Sequence, residues 1–414
     1  MQEAANLAIK SSPEVVLVSP TGTGKTLAFL LPILSELDRN CKEIQALILV
    51  PTRELAIQIE QVLREMGTGF KHNAVYGGIQ FSKDKLNLKH RPAVLIGTPG
   101  RVADHLRKGI FSTNDIKTLV LDEFDKSLEI GFESQMEEII LALGNLNRKI
   151  LTSATNVVEI PEFVGLKSPQ HLNFEKSGRA ELSVKTILSP SKDKLDTLLQ
   201  ALCHIGNEPG IVFCNFRDSI QRVSDFLAQN GIDHGCFHGG MEQIDRERAL
   251  IKFRNGTHQL IVATDLAARG LDIPEIKFIL HYHLPVKGHE FTHRNGRTAR
   301  MNKTGTAYVL HWEKEALPDF IQNVEREYIW DAPLPSRSIW KTVYLSGGRK
   351  DKISKGDIAG FCFKQGNLEK DDLGIIEIKQ DCAFVAVRRD KAKALIREID
   401  NKRLKKRKIR AHFA

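Results

Sequence analysis

The sequence predicts an α/β protein: two tandem doubly wound domains with parallel sheets, then a small C-terminal α+β module. Three observations lead there. Short apolar runs alternate with amphipathic stretches through the first 170 residues, the pattern of buried parallel strands covered by helices on both faces. After a polar stretch around Asn173 to Ser183 the same grammar restarts. Beyond Asp331 the rhythm changes, and the charge turns strongly positive.

In the first domain the strand EVVLVS leads into a helix from Lys25, ALILVP into a helix over Glu54 to Glu65, and AVLIG into Val102 to Leu106. TLVLDE and KILTSA complete the set. The second domain reads GIVFCN, a helix from Ser219 to Gln229, GIDHGCFHG, a helix from Asp245 to Phe253, then QLIVAT, KFILHY and GTAYVL. The Pro-containing stretch DAPLPS reads as a linker. The C-terminal module has the order β (TVYLSG), α (Ser354 to Phe363), β (GIIEIK), β (CAFVAV), α (Lys391 to Ile399), β (KIRAHF), which is the ferredoxin-like arrangement of RRM-type modules. The expected boundaries are residues 1–172, 184–330 and 338–414.

Composition sets the surroundings of this fold. With 42% hydrophobic and 27% charged residues the chain is globular, which excludes disorder as its main state. The net charge of +9 sits in one place: from Ser336 onward 21 basic residues face 10 acidic ones, while the rest of the chain is close to neutral. A compact basic segment attracts polyanions by counterion release. The six cysteines are scattered without a CxxC, which argues against a disulfide framework or a zinc site. No apolar run approaches the roughly 20 residues of a membrane span, and the N-terminus lacks the features of a signal peptide, so a soluble cytoplasmic protein without membrane association is expected.

Two motifs carry chemistry on their own residues. Ser19, Pro20, Thr21, Gly22, Thr23, Gly24, Lys25 and Thr26 come after a strand and open a helix, the form of a phosphate-binding loop. Its glycines let backbone N–H groups wrap phosphate oxygens, Lys25 offers an ammonium to the β and γ phosphates, and Thr26 offers a hydroxyl to Mg²⁺. Asp122 and Glu123 end a later strand of the same domain, where an acidic pair can hold a metal shell and activate water.

Further along, PTREL (51–55), GG (77–78), TPGR (98–101), DEFD (122–125), SAT (153–155), VFCN (212–215), HGGMEQIDR (238–246), ATDLAARGLD (263–272) and HRNGRTAR (293–300) resemble the ordered motifs of DEAD-box RNA helicases. The resemblance implies two tandem RecA-like P-loop domains using ATP and Mg²⁺. It places Lys25 and Thr26 on phosphate and metal, Asp122 on Mg²⁺, Glu123 as the base for water, and Asp272 on the ribose. Arg297 and Arg300 would reach the terminal phosphate, Ser153 and Thr155 would couple hydrolysis to strand separation, and Gln2 would read adenine. The RNA-facing set would be Arg53, Gly78, Thr98, Arg101, Gln243, Arg246 and Thr264, gripping phosphates and 2′-hydroxyls with little sequence information. Phe124 departs from the family's Ala and is expected to set a ring beside the carboxylates.

The C-terminal module resembles the RNA-binding domain appended to DbpA-type bacterial helicases, through KDKISKGDIAGF and CAFVAV. Tyr344 and Phe384 stand where such modules stack bases, but Cys382 and Val387 leave the platform incomplete. Phosphate gripping by Lys402, Arg403, Lys405, Lys406, Arg407, Lys408 and Arg410 is therefore the favoured mode. The expected activity is ATP-dependent unwinding or remodelling of structured or double-stranded RNA, with ribosomal RNA in assembling ribosomal particles as the implied target. An ATP-gated RNA clamp or scaffold is the alternative.

Overall fold

The computed structural model describes residues 1–20, 22–154, 159–174, 182–265, 276–299, 304–321 and 324–414. Thr21, Thr155, Asp272 and Arg300 lie outside the described residues. Among the described residues the chain forms two compact units, residues 1–174 and residues 182–414.

The first unit is built on seven parallel strands: β1 (Glu14–Val18), β2 (Ala46–Leu49), β3 (His72–Val75), β4 (Val94–Gly97), β5 (Thr118–Leu121), β6 (Arg148–Ser153) and β7 (Gln170–Asn173), in the order β3-β4-β2-β5-β6-β1-β7. Its helices are α1 (Gln2–Ser11), α2 (Lys25–Glu36), α3 (Arg53–Met66), α4 (Phe81–Asn87), α5 (Pro99–Arg107), α6 (Phe124–Glu129) and α7 (Glu133–Ala142). Successive side chains of a strand point to opposite faces. Val15, Ile48, Ile96, Val120 and Ile150 accordingly enter one apolar layer, and Val16, Leu47, Leu95, Leu119 and Leu151 enter the other. Both layers are dry, which is why these strands read as continuous apolar runs.

The second unit repeats that topology. Strands β8 (Leu182–Ser189), β9 (Gly210–Phe213), β10 (His234–Phe237), β11 (Leu260–Ala263), β12 (Phe278–His281), β13 (Gly305–Trp312) and β14 (Glu325–Arg326) lie in the order β10-β11-β9-β12-β13-β8-β14, again all parallel. Each strand thus takes the place of its counterpart seven numbers earlier. Helices α8 (Leu195–Ile205), α9 (Arg217–Gln229), α10 (Gln243–Arg254) and α11 (Gly288–Asn295) accompany them. Four strands were not anticipated. β3, β7 and β14 are sheet edges with little burial, and β8 starts inside the stretch read as a polar connection. None has a continuous apolar run, because an edge or half-covered strand needs none.

The C-terminal module has an antiparallel sheet of β15 (Trp340–Leu345), β16 (Leu373–Ile378), β17 (Ala383–Arg388) and β20 (Ala411–Phe413), in the order β16-β17-β15-β20. Helices α12 (Lys355–Lys364) and α13 (Arg389–Ile399) cover one face through Val343, Leu345, Val385, Val387, Ile358, Phe361 and Leu395. Ser354 caps α12, its hydroxyl accepting from the Asp357 N–H at 3.2 Å while the Asp357 carboxylate accepts from the Ser354 N–H at 2.8 Å. The last predicted strand is shorter than its apolar pattern: β18 (Arg403–Leu404) and β19 (Arg407–Lys408) fold into a separate hairpin ahead of β20.

The uncovered face of this sheet packs on the end of α10 within the same unit. Arg254 makes a forked ion pair with Glu377 (2.8 and 3.0 Å), and Asn255 and Thr257 reach the Thr342 hydroxyl at 3.3 and 2.8 Å. Arg389 pairs with Asp233 at 3.0 Å, and the Ser338 hydroxyl donates to the Gly256 carbonyl. The stretch DAPLPS carries no helix or strand, and the module beyond it is seated on the domain before it.

Candidate active site and nucleic-acid interface

All the first-unit motifs emerge from the carboxyl ends of parallel strands, where doubly wound sheets bind ligands. The phosphate loop joins β1 to α2. Gly22 and Gly24 hold φ of +80° and +89°, a region that favours glycine. A Cβ at Gly24 would also meet the Gln2 side-chain nitrogen at 2.3 Å and displace it. Gln2 is thereby placed against the loop, its amide donating to the Gly24 carbonyl at 3.4 Å. The Thr23 hydroxyl contacts that of Ser19 (2.7 Å) and donates to the Pro20 carbonyl (2.8 Å). Lys25, buried at the first turn of α2, donates to the carbonyls of Ser19 and Pro20, the latter at 3.1 Å, and Thr26 comes next, half-buried.

Asp122 and Glu123 stand at the end of β5. Asp122 is buried, and desolvation together with the neighbouring Glu123 charge pushes its carboxyl up to about 6, against the opposing influence of the Thr152 hydroxyl and the Lys25 charge. Glu123 adopts φ +48°, a left-handed conformation uncommon outside glycine, as it turns the chain into α6. Thr152 was missed by sequence reasoning although it links both acids. Its hydroxyl donates to Asp122 and accepts from the Glu123 N–H at 3.2 Å. The only sequence signal was its place beside Ser153. Ser153 itself is buried, and its carbonyl accepts from the Ser19 N–H at 3.1 Å, joining β6 to the phosphate loop. Phe124 comes directly after the acidic pair. It is buried in the apolar layer with Val18, Leu49, Leu121 and Leu151, because the turn at Glu123 directs the next side chain inward.

The RNA-facing candidates of this unit cluster on the adjoining strand ends. Arg53 opens α3 under the Thr52 cap, and its guanidinium lies against Gly77 and Gly78. A Cβ on Gly78 would meet Arg53 Nη1 at 2.5 Å, and the φ of +90° independently calls for glycine. Thr98 stands at the N-cap position of α5, and Arg101 is in its first turn. The second unit repeats the scheme after equivalent strands: Arg217 opens α9 with its guanidinium against Gly240, and Thr264 comes after β11 as Thr98 comes after β4. Arg217 was not singled out from the sequence, because the equivalence lies in topology rather than in residue identity. Gln243 opens α10, and Arg246, one turn along and buried, lies over the Phe237 ring at 4.9 Å.

Arg297 is buried just beyond α11. Nearby, Arg294 is buried to 2% exposure and joins three strand ends. It forks onto Asp265 (2.7 and 2.5 Å), donates to the Asn215 side chain (2.8 Å) and donates to the His283 carbonyl (2.8 Å).

In the C-terminal module Tyr344, Phe384 and His412 do share the sheet face, Tyr344 stacking on His412 at 4.6 Å and meeting Phe384 edge-on at 5.6 Å. Phe384 and Thr342 are nevertheless buried on this face. Of the basic candidates, Lys402, Arg403, Lys405, Lys406, Lys408 and Arg410 are exposed and Arg407 is half-buried. Lys405 pairs with Asp357 (2.5 Å) and Arg407 with Asp351 (2.7 Å), so these two also tie the hairpin to the module.

Two parallel sheets of one topology, the first carrying a phosphate loop beside an acidic pair, define a P-loop nucleoside triphosphatase of the helicase class. Family models agree: residues 1–162 match the DEAD/DEAH box helicase, residues 193–302 the helicase conserved C-terminal domain, and residues 342–412 the DbpA RNA binding domain. The chain is 31% identical to the ATP-dependent RNA helicase DbpA of Bacillus subtilis (strain 168), over 100% of this chain and 94% of that protein. It is 32% identical to the Escherichia coli (strain K12) DbpA over 100% and 93%. Among solved structures it resembles S. cerevisiae Dbp5 bound to RNA and ADP BeF3, with a TM-score of 0.69 and 26% identity, covering 78% of this chain and 88% of that one. The chain belongs to the DbpA family of DEAD-box ATP-dependent RNA helicases. It is an ATP-hydrolysing, RNA-binding enzyme.

Proposed function

We propose that this helicase remodels short duplexes within structured ribosomal RNA during ribosome assembly, in the cytoplasm. The observation that carries this reading is the seating of a strongly basic RNA-binding module on α10, the helix whose first turn holds Gln243 and Arg246. A module joined in this way delivers its RNA to the helicase core at high local concentration, so a sequence-blind core acts at one site.

The residue roles derive from chemistry. Lys25 and the N–H groups of Gly22, Thr23 and Gly24 would bind the nucleotide's phosphates. Gln2, held at Gly24, would contribute to the adenine pocket. Thr26 and Asp122 would hold a magnesium ion: both offer oxygen donors, which suit a hard cation, and a buried carboxyl pushed up to about 6 is one that a nearby positive charge returns to its ionised form. When bound, the ion would draw charge from the β and γ phosphates. Glu123 would orient and deprotonate water, with Thr152 holding the pair of acids in register. Arg297 would stabilise charge on the transferring phosphoryl group. Arg53, Gly78, Thr98, Arg101, Gln243, Arg246 and Thr264 would hold the RNA strand, joined by Arg217, and Lys402, Arg403, Lys406 and Lys408 would grip the phosphates of the docked RNA.

The test is ATPase activity of the full chain with no RNA, a generic RNA and ribosomal RNA. Selective stimulation by ribosomal RNA is the expected result. Equal stimulation by both RNAs would reject the target.

A further inference from the structure

We infer that Asp84 is a positioning residue for RNA binding: it holds in place the Arg101 guanidinium, which is also tied to the carbonyl of Ile79, the residue after Gly78. The inference rests on the reading of Arg101 as an RNA contact. Asp84 lies on α4, outside all of the family's sequence motifs, yet it is 2% exposed. A buried carboxylate is costly unless charged or hydrogen-bonded groups compensate it. Here the same oxygen, Oδ2, accepts from Arg101 Nε at 2.8 Å and from His105 Nε2 at 3.2 Å. His105 is fully buried on α5, one turn beyond Arg101, so both donors come from a single helix face.

The second anchor of the guanidinium decides where it points. Arg101 Nη2 donates to the carbonyl of Ile79 at 2.8 Å, and Ile79 is the residue after Gly78. Arg101 is thus tied on one side to α4 and on the other to the turn that carries a candidate RNA contact. The Phe81 ring closes the arrangement, stacking on His105 at 4.4 Å with Arg101 at 4.9 Å from its centre. A free arginine on a short loop samples many rotamers and loses that freedom when it takes a phosphate. One held by a buried carboxylate and a carbonyl has lost it already, and its remaining N–H edge is presented in a fixed direction.

The test compares Asp84→Ala, Asp84→Asn, Arg101→Ala and the Asp84→Ala/Arg101→Ala double variant in the full chain. The readouts are the RNA concentration for half-maximal ATPase activity, the KM for ATP and the melting temperature. A charge-assisted hydrogen bond corresponds to roughly a tenfold effect. Asp84→Ala is expected to raise the RNA requirement about tenfold with the KM for ATP unchanged, and Asp84→Asn, which keeps an acceptor oxygen, to restore part of it. The double variant should be no worse than Arg101→Ala alone, since both act through one guanidinium. If Arg101→Ala weakens RNA binding while Asp84→Ala and Asp84→Asn do not, or if the two losses multiply, the positioning role is overturned. Should Arg101→Ala itself leave the RNA requirement unchanged, the RNA-contact reading fails and this inference falls with it.

Discussion

Arg294→Met is the substitution that tests the architecture of the second unit most directly. Methionine keeps the length and apolar stem of the buried arginine but removes five hydrogen bonds seen among the described residues: two to Asp265 and one each to Asn215, His281 Nδ1 and the His283 carbonyl. Removing one partner of a buried ion pair costs about 3–5 kcal/mol, because the other charge is stranded. Asp265 keeps 21% side-chain exposure and recovers some hydration, which favours the lower half of that range. For a unit of this size the loss corresponds to a fall of about 6–16 °C in melting temperature. The assay is built into the sequence: Trp312, Trp330 and Trp340 are its three tryptophans, and all lie in the second unit. Urea titration of the full chain followed by tryptophan fluorescence therefore reports on that unit alone. Adding Asp265→Leu should return part of the stability by removing the stranded carboxylate. A loss below about 1 kcal/mol, or a double variant no more stable than Arg294→Met, would refute the account.

Other outcomes are expected from the same structure. Glu123→Gln should retain ATP binding while RNA-stimulated hydrolysis drops by at least about a hundredfold, measured by phosphate release. His281, His283 and His258 are held low by burial first, and then by Arg294, Lys194 and Lys252 respectively, at about 3, 4 and 4. A depressed folded-state value means that the unfolded chain takes up protons first. Stability of the second unit should therefore be full above about pH 6.5 and fall on acidification toward pH 4, by about 1.4 kcal/mol per pH unit for each group, read by the same fluorescence titration. Replacing Lys402, Arg403, Lys406 and Lys408 together by Ala should flatten the salt dependence of RNA affinity by up to about three units of log–log slope, measured by fluorescence anisotropy from 50 to 200 mM salt. Gly78→Ala should weaken RNA binding through displacement of Arg53, and an unchanged affinity would argue against that contact.

Where side chains enter a dry layer on both faces of a sheet, the strand must be apolar throughout, so EVVLV, ALIL, VLIG, TLVL, GIVF, LIVA and FILH were legible directly. The phosphate loop was legible for a related reason: φ near +80° and close backbone approach restrict its glycines whatever surrounds them. The sequence by itself thus determined the two-domain α/β plan, the nucleotide chemistry and the basic C-terminal module. Tertiary structure alone decided what depends on residues distant in the chain. It brought Thr152 between two acids 29 and 30 positions away, set Asp84 against Arg101 across 17 residues, and showed Arg217 to be the counterpart of Arg53 through matching strand order. It also turned Phe124 into the core and placed the end of α10 against the sheet face that carries Tyr344 and Phe384. Local pattern registers what a residue requires of its own backbone and its own face of a helix or strand. Which other residue satisfies that requirement is settled only when the strands take their order in the sheet.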